Sequence, residues 1–329
     1  MTDGTIRLAP TTQPIRGFRA GDGPRLVESW RRSAPADPIT ADRFRSLVLL
    51  DANFDPEGLR VAMDGDRVVG AAYAVRRLTP MTGTDLEPRQ GWIPFFFVDP
   101  AARGRGLGRR LLTEALDWLG GHGRTRVDFS SYTPNYILPG LDTATYPAAG
   151  GLLASLGFRT LYEAAAMDRS LVGYRLPEET ALRLAELTAR GHRFTTPSDD
   201  DLVDLVALAG HRFNPDWARA IRECLAAGAP LDRIVVARDP SGRLTGWAMH
   251  GAYESAVERF GPFGVLPETR GAGLGNVLLH LTLERMRACG AHCAWFLWTG
   301  ERSPAGHLYR KAGFTRTRVF QVLRREAAR

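Results

Sequence analysis

Val265–Leu279 reads VLPETRGAGLGNVLL. A β-rich run (Phe260–Val265) ends at a proline, an arginine follows, then alternating glycines, then an apolar-periodic helix. Gly271, Gly273 and Gly275 carry no Cβ, so the backbone there can turn its N–H groups toward one point. Those amides, with the unpaired donors of a helix starting near Leu274, make a site for a phosphate or pyrophosphate. Arg270 adds a fixed positive charge beside it. Taken alone, the stretch is also compatible with an ordinary strand–turn–helix connection in which glycine merely permits the turn.

A second copy changes that balance. Val98–Leu112 reads VDPAARGRGLGRRLL, at a constant offset of 167 residues, with Val98/Val265, Pro100/Pro267, Arg103/Arg270, Gly104/Gly271, Gly106/Gly273, Leu107/Leu274, Gly108/Gly275 and Leu111/Leu278 identical. Each half closes on a shared mark, LLASLGF ending at Phe158 and LYRKAGF ending at Phe314. From arginine to that phenylalanine is 55 residues in the first half and 44 in the second. A repeat this long means two homologous domains rather than a solenoid.

These residues resemble the GNAT family of acetyl-CoA-dependent N-acyltransferases. Its cofactor signature, Arg/Gln-x-x-Gly-x-Gly/Ala after a strand, is matched by Arg103-x-x-Gly106-x-Gly108 and Arg270-x-x-Gly273-x-Gly275. Its later segment is matched by Ala305, Leu308, Tyr309, Gly313 and Phe314, with Arg302 where the family usually has asparagine. The resemblance covers nearly the whole chain as a tandem pair. It implies an α/β (α+β) protein of two domains, each a central mixed, mostly antiparallel sheet flanked by helices. The expected division is residues 1–171, a connecting helix in 172–191, and 192–329. The implied cofactor is acetyl-CoA or another short acyl-CoA. It would be held by Val98, Asp99, Arg103, Gly104, Arg105, Gly106, Leu107, Gly108 and Arg109 in one half. In the other, Val265, Leu266, Arg270, Gly271, Ala272, Gly273, Leu274, Gly275 and Asn276 would hold it.

Composition sets the bounds. The 329 residues suffice for two domains with their own cores. Hydrophobic residues at 44% and charged residues at 24% describe a soluble globular chain, without an apolar run long enough to span a bilayer and without a signal-peptide pattern at MTDGTIRLAP. Cys224, Cys289 and Cys293 have no metal-type pairing and read as free packing thiols in a reducing cytoplasm. No metal site is expected. The net charge of +7 is spread over separate arginine doublets rather than a basic tail, which argues against nucleic acid as partner. A basic mouth would still attract a polyanionic cofactor. The expected assembly is a monomer or homodimer.

Along the chain, Thr5–Pro10 reads as a first strand, and Gly21–Arg31 and Thr40–Leu50 as helices able to flank an acceptor cleft. Leu59–Met63 and Val68–Arg76 form a hairpin around Asp64-Gly65-Asp66. Gly91–Val98 leads into the first signature, and the leucines of Gly106–Gly120 recur at a helical period. Tyr132–Gly150 carries three prolines and largely explains the longer first half; its tyrosines and aliphatics favour a packed contact over disorder. Pro177 and the glutamates that follow start a helix ending near Arg190. In the second half, Pro262 inside the strand leading to the signature marks a bulge or an edge. By the resemblance, that strand splays from its neighbour to admit the acyl-pantetheine arm.

Acyl transfer of this kind needs a bound thioester, a neutral amine and a proton for the leaving thiolate. By resemblance Tyr309 is the proton donor, since a phenol of pKa ~10 stays protonated at neutral pH. The other role open to it is packing against the sheet. Five residues before Phe158 stands Leu153, which cannot donate, although Tyr146 and Tyr132 lie near enough in sequence to substitute spatially. The second half is therefore expected to be catalytic and the first degenerate or structural. Glu258 on the entry strand and Glu301 beside the last helix are the base candidates, each also readable as a solvated surface acid, and His250 and His307 are the histidines worth testing. The acceptor is a small-molecule or peptide amine. A dinucleotide-binding fold would want a third glycine where Arg109 and Asn276 stand, even though Asp128 lies at a suitable distance, and no Gly-Lys-Ser/Thr follows for a P-loop. The non-enzyme alternative is a tandem GNAT that senses acyl-CoA or binds protein without turnover.

Overall fold

The structure, a computed structural model, describes residues 13–326. The strand expected at Thr5–Pro10 lies outside the described residues. The described residues form two compact units, one of residues 13–79, 87–161 and 322–326 and the other of residues 80–86 and 162–321. The units thus differ from the chain halves 1–171 and 192–329 read from the repeat, chiefly because residues 322–326 belong with the first unit.

The first unit begins with strand β1 (Ile15–Gly17), helix α1 (Asp22–Ser33) and helix α2 (Ala41–Phe44), which runs into a π turn at Arg45–Leu49. Strands β2 (Leu59–Asp64), β3 (Arg67–Val75) and β4 (Gln90–Val98) form an antiparallel meander, followed by helix α3 (Leu107–Gly121), strand β5 (Arg126–Phe129) and helix α4 (Pro147–Ser155). The leucine period of α3 becomes its buried face: Leu107, Leu111, Leu112, Leu116 and Leu119 pack with Val69, Ile93 and Val127. On the other side of the sheet, Leu26, Val27 and Trp30 of α1 meet Tyr73, Phe95 and Phe97.

The second unit takes most of strand β6 (Arg159–Ser170), then helix α5 (Glu178–Ala189), strand β7 (Arg193–Thr195), and helices α6 (Leu202–Arg212) and α7 (Pro215–Ala226). Strands β8 (Ile234–Arg238), β9 (Leu244–His250) and β10 (Phe260–Val265) follow, then helix α8 (Leu274–Ala288), strand β11 (Cys293–Thr299), helix α9 (Pro304–Lys311) and strand β12 (Thr315–Glu326). Strands β10-β9-β8-β7 form one antiparallel sheet, and β6 pairs antiparallel with β11. The register shifts between Phe260 and Phe263, around Pro262.

The tail of β12 returns to the first unit, where Leu323–Glu326 pair antiparallel with Arg126–Phe129. Arg324 there grips Asp128 through two bonds of 2.6 and 2.9 Å. That settles the partner of the acid whose spacing had fitted a ribose-binding role. The helix read as a connector is α5, and it packs within the second unit, Leu187 against Leu274 and Val277.

Candidate active site

The two signatures adopt the same local geometry. Each follows a short 3₁₀ turn, Pro100–Ala102 or Pro267–Thr269, and each opens a helix of 15 residues. Gly104 and Gly271 have φ of 79° and 84°, Gly106 and Gly273 of 77° and 86°, a region costly for any residue with a Cβ. Arg103 and Arg270 do equivalent work: Nε of each donates back to the carbonyl five residues earlier, Val98 at 3.0 Å and Val265 at 3.4 Å. Arg103 adds a bond of 2.8 Å to the Ser33 carbonyl, so its charge fastens the loop to the end of α1.

The surroundings of the two loops differ. In the first unit β4 and β5 run parallel only from Gln90↔Arg126 to Ile93↔Phe129. Pro94 then offers no N–H, and Ser130 and Ser131 take positive φ (60° and 43°) that turns the chain away. Beyond Ile93, strand β4 therefore leaves its β5 side open. A cavity of about 780 Å³ occupies that gap, lined by Phe96, Gly104, Gly106, Phe129, Leu141 and Leu152 among others. Of the residues expected to hold cofactor, Val98, Arg103, Gly104, Gly106, Leu107, Gly108 and Arg109 line it. Asp99 instead serves the fold: burial would raise its carboxyl, but the Arg32 guanidinium (2.9 Å) and the Ala101 amide outweigh burial and hold it low.

A Cβ added to Gly104 or Gly106 would meet nothing within 4 Å. The first turn of α3 holds no acid and carries Arg109, a cation where the helix dipole by itself disfavours one and where a bound anion would reverse the balance.

Two further residues join this wall. Tyr146, immediately before α4, donates to Asp37 Oδ2 at 2.6 Å, and both line the cavity. Asp37 sits in the loop after α1, where its carbonyl accepts from Trp30 Nε1 at 2.8 Å. Of the two tyrosines that could stand in for Leu153, Tyr146 is at the cavity. Tyr132 is buried, its hydroxyl bonded to Asn53 at 2.7 Å and its ionisation pushed up by burial. Asp37 carried no sequence motif. The one signal was an acid set between prolines (Pro35 and Pro38) in a stretch joining two helices.

In the second unit the expected residues have structural surroundings. Tyr309 is buried among Phe296, Phe314, Phe260 and Phe263, ring centroids 4.5 to 6.2 Å away, and burial pushes its phenol well above the ordinary value. Glu258 accepts from the His292 amide at 2.9 Å and from Cys293 Sγ at 3.3 Å, bonds that hold its carboxyl low. Glu301 pairs with Arg316 at 2.8 Å, and His307 meets Arg310 at 2.6 Å. His250 is buried with Nδ1 on the Val257 carbonyl, and burial pushes its ionisation down.

On the second glycine loop lies α5. Arg183 donates from Nε and Nη2 to the Ala272 carbonyl at 2.9 and 2.6 Å, and Asn276 bonds Thr180 at 2.9 Å. A Cβ on Gly273 would lie 2.7 Å from Arg183 Nε.

Among the described residues no group of acids, histidines and cysteines is arranged to hold a metal, and no helix is long and apolar enough to cross a membrane.

Comparison with known proteins agrees with the repeat. The Acetyltransferase (GNAT) family profile matches residues 24–136, and an Acetyltransferase (GNAT) domain profile matches residues 230–316. A mycothiol acetyltransferase of Clavibacter michiganensis is 29% identical over 94% of this chain and 90% of its own length. One from Thermobispora bispora is 29% identical over 93% and 96%. In fold, a GCN5-related N-acetyltransferase from Sphaerobacter thermophilus aligns with a TM-score of 0.72 at 18% identity, covering 97% of both chains. A tandem GNAT protein from the clavulanic acid biosynthesis pathway aligns at 0.64 and 18%, covering 97% of this chain and 99% of that one. With two matching domains, relatives along most of its length and tandem structural neighbours, the chain belongs to the GNAT family and is a two-domain N-acetyltransferase.

Proposed function

We propose that transfer takes place in the first unit, from acetyl-CoA or another short acyl-CoA to the primary amine of a small molecule or peptide. The carrying observation is the contrast between two loops of equal backbone geometry: the first opens on a cavity of about 780 Å³ and the second lies under α5. The amides of Gly104–Gly108, with Arg109 beside them, would hold the pyrophosphate, and the gap beyond Ile93 and Phe129 would take the pantetheine arm. The β4 backbone facing that gap polarises the thioester carbonyl, stabilising charge that develops in the transition state.

The amine attacks the thioester carbon, forming the C–N bond as the C–S bond breaks. The departing thiolate takes the Tyr146 hydroxyl proton, while Asp37, hydrogen-bonded to that hydroxyl, receives a proton from the attacking amine. The pair ends with its protons balanced and returns to its starting state by passing one proton from the carboxyl to the phenolate. The opposite assignment, with Tyr309 as acid and Glu258 as base, rests on the motif match at LYRKAGF. It would need the aromatic core around Tyr309 to open.

The relatives' name makes a mycothiol-related amine the first acceptor to try, beside amino sugars, amino acids and peptide N-termini. Thiol release from acetyl-CoA, measured with that panel on wild type, Tyr146→Phe and Tyr309→Phe, tests the reading. Loss of release in Tyr146→Phe alone supports it; loss in Tyr309→Phe alone overturns it.

A further inference from the structure

We infer that this chain binds a single acyl-CoA, because Arg183 and helix α5 lie over the anion face of its second glycine loop. The inference rests on the proposed function for the nature of the ligand and concerns the site that function leaves unused.

A pyrophosphate approaches such a loop across the face where glycine lacks a side chain. At Gly273 that face is filled: an added Cβ would lie 2.7 Å from Nε and 3.2 Å from Cγ of Arg183. The guanidinium is held from both sides, by the Ala272 carbonyl at 2.6 Å and by Glu186 at 2.7 Å. Its charge is thereby spent within the protein, unlike a cation waiting for phosphate.

The helix carrying Arg183 is also anchored. Thr180, with no exposed surface, accepts from Asn276 at 2.9 Å, and Leu187 packs against Leu274 and Val277 in the opening turns of α8. Clearing the loop would expose Leu187, which is fully buried, and break three polar contacts together. Sequence differences agree. Where the first loop has in the opening helical turn the cation Arg109, whose Nη2 donates to the Ser155 hydroxyl at 2.7 Å, the second has the neutral Asn276, bonded to Thr180 of α5.

The test is acetyl-CoA titration of the full-length chain by calorimetry, followed by amide hydrogen exchange with and without acetyl-CoA. The expected result is one binding event per chain. Amides 104–109 should gain protection on binding, and amides 271–276 should be protected already and unchanged. Arg183→Ala should hasten exchange at 271–276 while leaving acetyl-CoA affinity and turnover as in wild type. Two binding events, or new protection at 271–276, would overturn the single-site inference while leaving transfer in the first unit standing. So would loss of acetyl-CoA affinity in a folded Arg183→Ala, which would make that residue a cofactor ligand. No binding at all would instead overturn the proposed function beneath it.

Discussion

Tyr146 and Asp37, 109 residues apart in sequence, meet at 2.6 Å on the wall of the first unit's cavity. The bond joins the residue before α4 to the loop after α1, so a proton donor and a carboxylate from distant parts of the chain meet at the cavity. Tyr146→Phe keeps the ring and deletes the donor. Its single-turnover rate should fall by roughly 10²–10⁴, the usual worth of a general acid, with little change in acetyl-CoA affinity. Asp37→Asn, which cannot take the proton of the attacking amine, should lower the rate too. A full rate in Tyr146→Phe would remove the hydroxyl from the chemistry.

The cofactor loop can be tested by asking the two signatures the same question. Gly106→Val places a branched side chain at φ 77° in open space, straining the backbone by about 1–2 kcal/mol and obstructing the pyrophosphate. Acetyl-CoA binding should disappear while the fold persists. Gly273→Val carries similar strain and also collides with Arg183, so it should destabilise the second unit more and leave acetyl-CoA affinity intact. Calorimetry and thermal unfolding on both variants check this. The reverse pattern would put the cofactor at the second loop.

Leu153, at the position in the first half that corresponds to Tyr309, has no exposed surface and packs in the core with α3 and β5. Leu153→Ala should cost about 2–5 kcal/mol of stability, the range for emptying a buried leucine site. Turnover per folded molecule should be unchanged. Chemical denaturation alongside active-site titration separates the two effects, and a lost rate at full stability would contradict a packing role.

The repeat was legible because backbone needs fix it. Glycines at φ near 80° cannot be replaced cheaply, so Gly104, Gly106, Gly271 and Gly273 stand out in any reading of the chain. What the motif could not convey is what lies on top of it. Arg183 is an ordinary helix arginine until α5 is seen to cross Gly273, and Tyr309 matches the family pattern although it sits in an aromatic core. Nor does sequence order reveal that Leu323–Glu326 pair with β5. A strand pairing between residues nearly 200 positions apart leaves no local periodicity to read. Asp37 was invisible for a related reason: its role depends on a hydroxyl contributed from another part of the fold.

His280 provides a pH-dependent test of the second unit's core. It is buried on α8, its Nδ1 2.8 Å from the Tyr174 hydroxyl, and burial with help from nearby Arg169 pushes its pKa down to about 4. An imidazole in the unfolded chain titrates near ~6.5. Above that pH both states hold His280 neutral, and its contribution to stability is complete. As pH falls below it, the unfolded state takes up a proton that the folded state resists, so stability declines until the folded group titrates at about 4. Carboxylates also titrate in the lower part of this window, so the comparison must be a difference. Urea unfolding of wild type and of His280→Gln should be measured at pH 7, 5.5 and 4.5. The wild type should lose more stability than the variant between the first two values, where histidine dominates the change. Parallel losses would mean that the buried ring accepts its proton as readily as an exposed one.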